Sequence, residues 1–319
     1  MPISFIEKLR TGAVPLQAGW MVLGSFFFAT MGVCIKMGSV YFNPAELVFW
    51  RGAIGVLVLG VLARSRGVSL VTRYPAMHAW RGFIGVISLG AWFYAIAHLP
   101  LATAVTLNYM SSIWVAAFLV GGALMAWRPG VSAATSPRAQ MPLFFTVLSG
   151  FAGVLLLLRP SINPQQGFAA VVGLLSGITA AFAYMQVMAL SRIGEPETRT
   201  VFYFAFAATI AGAVAMMLTG TSAWSWRGAI WLPPVGILAA FGQLCITRAY
   251  ATAHTHHATL LVANLQYSGI VFAAMYGLLV FGDHIPALGW AGMALIIASG
   301  VAATALRKRA VPESPVEEH

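Results

Sequence analysis

A chain of 319 residues that is 60% hydrophobic and only 8% charged, with a mean hydropathy of +0.84, lies far from a soluble domain, where about a quarter of the residues carry charge. This composition excludes a water-soluble globular protein and predicts an all-α polytopic membrane protein. The formal net charge of +10 would suit nucleic acid, but the placement of the basic residues points to membrane topology, so the predicted partners are the lipid bilayer and a small-molecule solute, with no nucleic acid.

A spanning helix needs about 20 mostly apolar residues. Ten such stretches follow one another, at about 16–37, 44–64, 79–98, 101–127, 141–158, 167–191, 198–219, 230–253, 257–281 and 286–306. Lys8 and Arg10 precede the first, yet that run is too long for a signal-peptide core and nine similar segments follow it, which predicts an uncleaved span. Pro44, Pro142 and Pro286 stand at first-turn positions, where a missing N–H costs nothing. Gly194, Glu195 and Pro196 punctuate the sixth and seventh spans. The polar tail 310–319, with its two prolines, reads as disordered and cytoplasmic. Cys34 and Cys245 sit inside apolar runs and read as small buried side chains, with no disulfide framework or metal site between them.

Basic residues orient the spans. With the N-terminus in the cytoplasm, alternate loops place Lys8, Arg10, Arg64, Arg66, Arg73, Arg81, Arg128, Arg138, Arg192, Arg199, Arg307, Lys308 and Arg309 on the cytoplasmic side. Only Arg159 and Arg227 fall opposite, and Lys36, Arg51 and Arg248 remain within spans. The asymmetry predicts both termini inside, in the cell membrane.

Two stretches echo each other 156 positions apart, Tyr94–Phe118 and Tyr250–Ala274. They agree at Tyr94/Tyr250, Ala95/Ala251, Ala97/Ala253, His98/His254, Ala102/Ala258, Thr103/Thr259, Asn108/Asn264, Ser112/Ser268, Val115/Val271 and Ala117/Ala273. Such local self-similarity indicates a duplicated unit. Five spans in each half is an odd number, so the second half must cross the membrane inverted. Inverted repeats are a transporter architecture with a site near the bilayer midplane. The halves are predicted at 16–159 and 167–306.

With a Lys closing the first span, an Arg one-third into the second and two Tyr-Ala-x-Ala-His segments, the sequence from 16 to 306 resembles the drug/metabolite transporter superfamily, EamA type. The resemblance implies a basket of ten helices, an exporter of amino acids or other metabolites, and a central cavity lined by spans one, three, four, six, eight and nine. In one respect the chain departs from internal symmetry: a shift of 152 superposes Pro44 on Pro196 and puts Tyr203 opposite Arg51, so the halves are chemically unequal.

A charge near a helix centre costs about 2.5–3.5 kcal/mol, which makes in-span ions functional candidates. Arg51 lies roughly 10 Å into its span and either faces the cavity or is a structural cation paired with Glu46 or with neighbouring carbonyls. Lys36 and Arg248 lie near span ends, where snorkelling competes with lining. Asn108, Asn264, Ser112 and Ser268 lie on repeated helix faces as lining, gating or interhelical glue. Gln186, Gln243, Tyr94 and Tyr250 complete the cavity candidates, and Gln266, Tyr109, Tyr184 and Tyr267 add hydrogen bonds or aromatic wall. His98 and His254 read as interfacial turn residues, and the His256–His257 pair lacks metal spacing. None of the eight acids falls in mid-span, which disfavours a proton-driven exporter of organic cations. No nucleophile–base motif, phosphate loop or metal box is present, so neither catalysis nor a cofactor is predicted.

The sequence therefore predicts a metabolite transporter working by alternating access, exporting or exchanging amino acids or organic acids. An intramembrane or lipid-modifying enzyme, and a non-transporting accessory subunit, are the alternatives. Oligomeric state is not encoded in any recognisable feature.

Overall fold

The computed structural model describes residues 16–111, 113, 114, 118, 141, 145, 148–150, 152–154, 156, 166–252 and 265–310. Within these residues the chain is helical and contains no strand. The helices are α1 (Leu16–Gly38), α2 (Pro44–Ser65), α3 (Pro75–His98), α4 (Leu101–Tyr109), α5 (Gly167–Arg192), α6 (Glu197–Thr219), α7 (Trp226–Ala229), α8 (Leu232–Ala251), α9 (Ser268–Val280) and α10 (Ala287–Ala310). Among the described residues, six stretches are long and apolar enough to cross a membrane: Gln17–Gly38, Pro44–Ser65, Pro75–His98, Gly167–Arg192, Glu197–Thr219 and Trp226–Ala251. The tail beyond Ala310, His254, His256 and His257 lie outside the described residues, as do large parts of the predicted fourth, fifth and ninth spans.

Local chemistry sets the helix ends. Asn43 caps α2 by accepting from the Glu46 N–H at 3.0 Å, and the Glu46 carboxylate accepts from the Asn43 N–H at 2.8 Å, a closed capping box ahead of Pro44. Gly194 ends α5 and Gly220 ends α6, both at positive φ, a conformation that only glycine adopts without a Cβ penalty.

Three pairs of long helices build the bundle: α2 against α6, α1 against α8 and α3 against α5. Each pair is antiparallel. The Asn43 amide at the start of α2 donates to the Gly220 carbonyl after α6 at 3.0 Å. Gly38, ending α1, lies beside Trp231, while Trp20 lies under Arg248 near the end of α8. Tyr94 meets Phe168 at the start of α5, and His78 reaches Glu195 beyond its end. The α2–α6 contact is backbone-close because Gly52 packs against Thr209 and Gly212 against Phe49; a Cβ at Gly52 would lie 2.5 Å from the Thr209 nitrogen. Large apolar side chains such as Leu57, Val61, Phe83 and Leu279 face outward, where lipid replaces water.

The fourth helix and its echo break at matching positions. After Met110 the Ile113 N–H donates to the Met110 carbonyl at 2.9 Å, and 156 residues on the Gly269 N–H donates to the Gln266 carbonyl at 3.1 Å. Both are tight i→i+3 bonds within otherwise α-helical surroundings.

Candidate functional site

Two polar ends and one polar centre organise the bundle. At one end, Lys36 donates to the Leu99 carbonyl at 3.1 Å, lies 3.7 Å from Asp283 and sits 4.8 Å above the Phe281 ring. Asp283 also accepts from the Leu101 N–H at 3.3 Å, so this contact ties α1 to the α3–α4 and α9–α10 turns. At the same end, Glu46 accepts from Ser222 through both its hydroxyl (2.7 Å) and its N–H (3.2 Å).

At the opposite end, buried Glu195 gathers the Thr72 hydroxyl at 2.9 Å, Arg199 at 3.1 Å and His78 at 3.3 Å. Burial pushes the Glu195 carboxyl up, but the hydrogen bonds from Thr72, Arg199 and His78 outweigh it and hold the group below the usual carboxylate value. Arg199 also donates to the Ser69 carbonyl at 2.8 Å, and the Tyr203 hydroxyl to the Leu70 carbonyl at 3.0 Å, which pins the α2–α3 loop to α6.

Between these ends lies a small cavity of about 60 Å³. Arg51 from α2, Arg81 and Trp92 from α3, Asn108 and Tyr109 from α4, Tyr184 from α5, Phe204 from α6 and Gln243 from α8 reach it. Arg51 and Arg81 are each only 4% exposed. Their guanidinium carbons lie 5.0 and 4.3 Å from the centroid of one ring, Phe204, a cation–π arrangement in a desolvated setting. Neither has a carboxylate within ion-pair distance among the described residues. Arg51 Nε, Arg81 Nε and Nη1, Trp92 Nε1 and the Tyr109 hydroxyl are all buried without a hydrogen-bond partner among the described residues. Such orphaned donors are uncommon in folded proteins and call for a ligand or water.

Asn108, Ser88 and Tyr184 of the lining are bonded within the protein. Asn108 donates to the Ser176 hydroxyl at 3.2 Å, Ser176 to the Gly173 carbonyl at 2.6 Å, and Ser88 to the Ser176 carbonyl at 2.9 Å. Asn108 therefore both lines the cavity and joins α4 to α5. Gln266 donates to the Tyr184 hydroxyl at 3.2 Å and accepts from the Tyr250 hydroxyl at 3.2 Å, a chain from the cavity wall into α8.

Of the residues singled out from sequence, Arg51, Asn108 and Gln243 thus meet at the cavity, and Tyr250 joins its wall through Gln266. Lys36 is held at the Asp283 end, away from the cavity. Arg248 lies over Trp20 at 5.2 Å, Tyr94 stacks on His98 at 4.1 Å, and Gln186 is half-buried on α5 outside the lining. Ser268 begins α9 with its hydroxyl buried and unbonded. Ser112 and Asn264 lie outside the described residues.

Three sequence expectations change. Arg81 is not a cytoplasmic flanking residue: α3 starts at Pro75, not at 79, which carries Arg81 two turns into the bundle. The signal was Pro75 at a first-turn position, together with the buried face His78, Arg81, Gly85, Ser88 and Trp92, opposite outward-facing Trp80, Phe83 and Ile87. Arg51 does not pair with Glu46, whose oxygens are taken by the capping box and Ser222. Helices α2 and α6 reach the cavity through Arg51 and Phe204, although the resemblance implied a lining by spans one, three, four, six, eight and nine.

Comparison with known proteins places this geometry in context. The EamA-like transporter family matches residues 16–121. The pseudopaline exporter CntI of Pseudomonas aeruginosa (strain UCBPP-PA14) is 34% identical over 90% of this chain and 95% of its own length. A riboflavin transporter of Rhizobium johnstonii is 25% identical over 88% of each chain. A solved crystal structure at 19% identity superposes with a TM-score of 0.60 over 92% of this chain and 97% of its own, a likeness of fold. These relatives point to a multi-pass membrane transporter of small molecules rather than an enzyme. The chain belongs to the drug/metabolite transporter superfamily, EamA type.

Proposed function

We propose that the protein exports or exchanges small carboxylate-bearing metabolites, such as amino acids or organic acids, by alternating access between two inverted five-helix repeats of a ten-helix bundle. The observation that carries the substrate class is the buried Arg51 on the cavity wall, which has no carboxylate within ion-pair distance among the described residues. A solute carboxylate there replaces its lost hydration with charge-assisted hydrogen bonds, whereas a cationic solute adds like-charge repulsion in a low-dielectric site. A relative named as an exporter supports the direction.

Support for inversion comes from pairing. Exchanging α1 with α5, α2 with α6 and α3 with α8 maps the α1–α8 contact onto α3–α5 and α2–α6 onto itself. The matched breaks at Met110 and Gln266 obey the same exchange and fit the discontinuous helices of inverted-repeat transporters. The two polar ends act as opposing closures around a central site, with both termini on the cytoplasmic side.

Coupling to protons is not part of this reading, because Glu46, Glu195 and Asp283 all stand at helix ends, away from the lining. Counterflow of labelled amino and organic acids in proteoliposomes, with and without an imposed pH gradient, tests it. Saturable exchange without the gradient is expected; accumulation driven by the gradient alone contradicts it.

A further inference from the structure

Of the two in-span arginines that the sequence offered, Arg51 reaches the cavity and Arg248 lies over Trp20, and the structure adds Arg81 beside Arg51. Arg81 lies on the same Phe204 ring as Arg51, so the guanidinium carbons are no further apart than the sum of 5.0 and 4.3 Å. Both come from the first half; the position 156 beyond Arg81 is Ile237, which faces outward. The second half supplies the neutral wall instead, with Tyr184, Phe204 and Gln243. Gly85 makes the arrangement fit. One turn beyond Arg81, a Cβ at that position would collide with the Arg81 Nη1 and come within 2.7 Å of the Phe204 ring.

Two like charges at this separation, without a carboxylate from the described residues, are an unusual thing to bury. One solute carboxylate compensates one of them and leaves the other exposed to its repulsion. Two carboxylates neutralise the pair. The orphaned donors fall into matching groups: Nε of Arg51, and Nε and Nη1 of Arg81, with the Trp92 indole and Tyr109 hydroxyl beside them. A guanidinium edge binds a carboxylate in the plane of its fork, so two arginines on one ring define two such receptor planes.

We propose that Arg51 and Arg81 form a paired site for a solute carrying two carboxylates, one held by each guanidinium. This inference rests on the transporter reading above and narrows its substrate class from carboxylates in general to dicarboxylates. Phe204 sets the spacing of the two receptors, and Gly85 is a positioning residue that leaves Arg81 room to fold back along α3.

The test uses the purified full-length protein and ligand-induced thermal stabilisation, titrated with unbranched dicarboxylates from malonate to suberate, the monocarboxylates of equal length and the corresponding diamides. At least one dicarboxylate is expected to bind about tenfold or more tightly than its monocarboxylate, a difference of about 1.4 kcal/mol. Arg51→Gln and Arg81→Gln should each abolish that preference, so that the dicarboxylate binds no more tightly than its monocarboxylate partner once a single guanidinium remains. Arg81→Lys, which keeps the charge without the fork, should recover part of the preference and serves if Arg81→Gln fails to fold. If no dicarboxylate exceeds its monocarboxylate partner, or if the preference survives in both Gln variants, the paired site is overturned. Mono- and dicarboxylates binding alike, and both better than the diamides, removes the pair yet keeps the carboxylate reading. Diamides binding as well as either acid removes the carboxylate reading itself.

Discussion

The Ser222 hydroxyl donates to the Glu46 carboxylate at 2.7 Å, and that contact decides the character of the cavity. Glu46 lies on the same helix as Arg51 and is the acid nearest to it in sequence. Because both Glu46 oxygens are occupied by the Asn43 and Ser222 groups, the guanidinium further along α2 is left without a carboxylate among the described residues. The neutralising charge must come from outside the described fold.

Glu46 therefore acts on stability and not on cargo. Glu46→Gln weakens the capping box and the Ser222 contact, a loss of about 1 kcal/mol. The expected result is a lowered melting temperature in detergent with unchanged transport per folded molecule. Abolished transport by well-folded Glu46→Gln protein would place this acid in the transport cycle.

The Glu195 cluster predicts an acid limb in stability. Its carboxyl is held below the usual value of 4.5 by the net effect of three hydrogen bonds against burial, so the unfolded chain takes up the proton first. The stabilisation is complete above that usual value and is lost as the pH falls through the lower folded one. Melting temperature should drop on acidification across this window in the wild type, and more shallowly in Glu195→Gln. Parallel curves for the two proteins would remove Glu195 as the cause.

Gly85→Ala tests the positioning of Arg81. The new methyl group must displace the Arg81 guanidinium or the Phe204 ring. Transport should fall about tenfold or more, as for loss of a charge-assisted hydrogen bond, while the protein still elutes as a folded species. Normal transport by Gly85→Ala would show that the Arg81 position is not critical.

Orientation is checked with single cysteines placed in a background lacking Cys34 and Cys245. Ala223, in the exposed turn after α6, should react with an impermeant maleimide in intact cells when replaced by Cys. Arg66, exposed after α2 at the opposite end, should react only after lysis when replaced by Cys. The reverse pattern would invert the proposed topology.

Much of this architecture was legible in the chain, and the misses have physical causes. Hydropathy located α1, α2, α5 and α6 within a residue or two, because an apolar run bounded by Gly, Pro or charge has few alternative ends. The α3 boundary was missed because His78 and Arg81 lower the local hydropathy of a segment whose other face, Trp80 and Phe83, points outward. Depth along a helix can be counted from sequence, but the direction of a side chain cannot. Both Arg51 and Lys36 were therefore candidates, Lys36 with snorkelling as its rival reading, and Asp283 and the Leu99 carbonyl, far away in sequence, hold Lys36 at the bundle end. Likewise, the sequence offered Tyr250 as a cavity candidate and Tyr184 and Gln266 as hydrogen-bonding or wall residues one by one; only the folded chain joins them into one hydrogen-bonded path to the cavity.

The most direct test of the account is transport by the wild type and by Arg51→Gln in proteoliposomes, normalised to folded protein, with a carboxylate panel set against quaternary amines. The buried cation predicts that the wild type carries carboxylates in preference to quaternary amines, and that Arg51→Gln loses most carboxylate transport while remaining folded, since removing an unpaired buried charge relieves a desolvation cost. Undiminished carboxylate transport by Arg51→Gln, or efficient carriage of quaternary amines by the wild type, would contradict it.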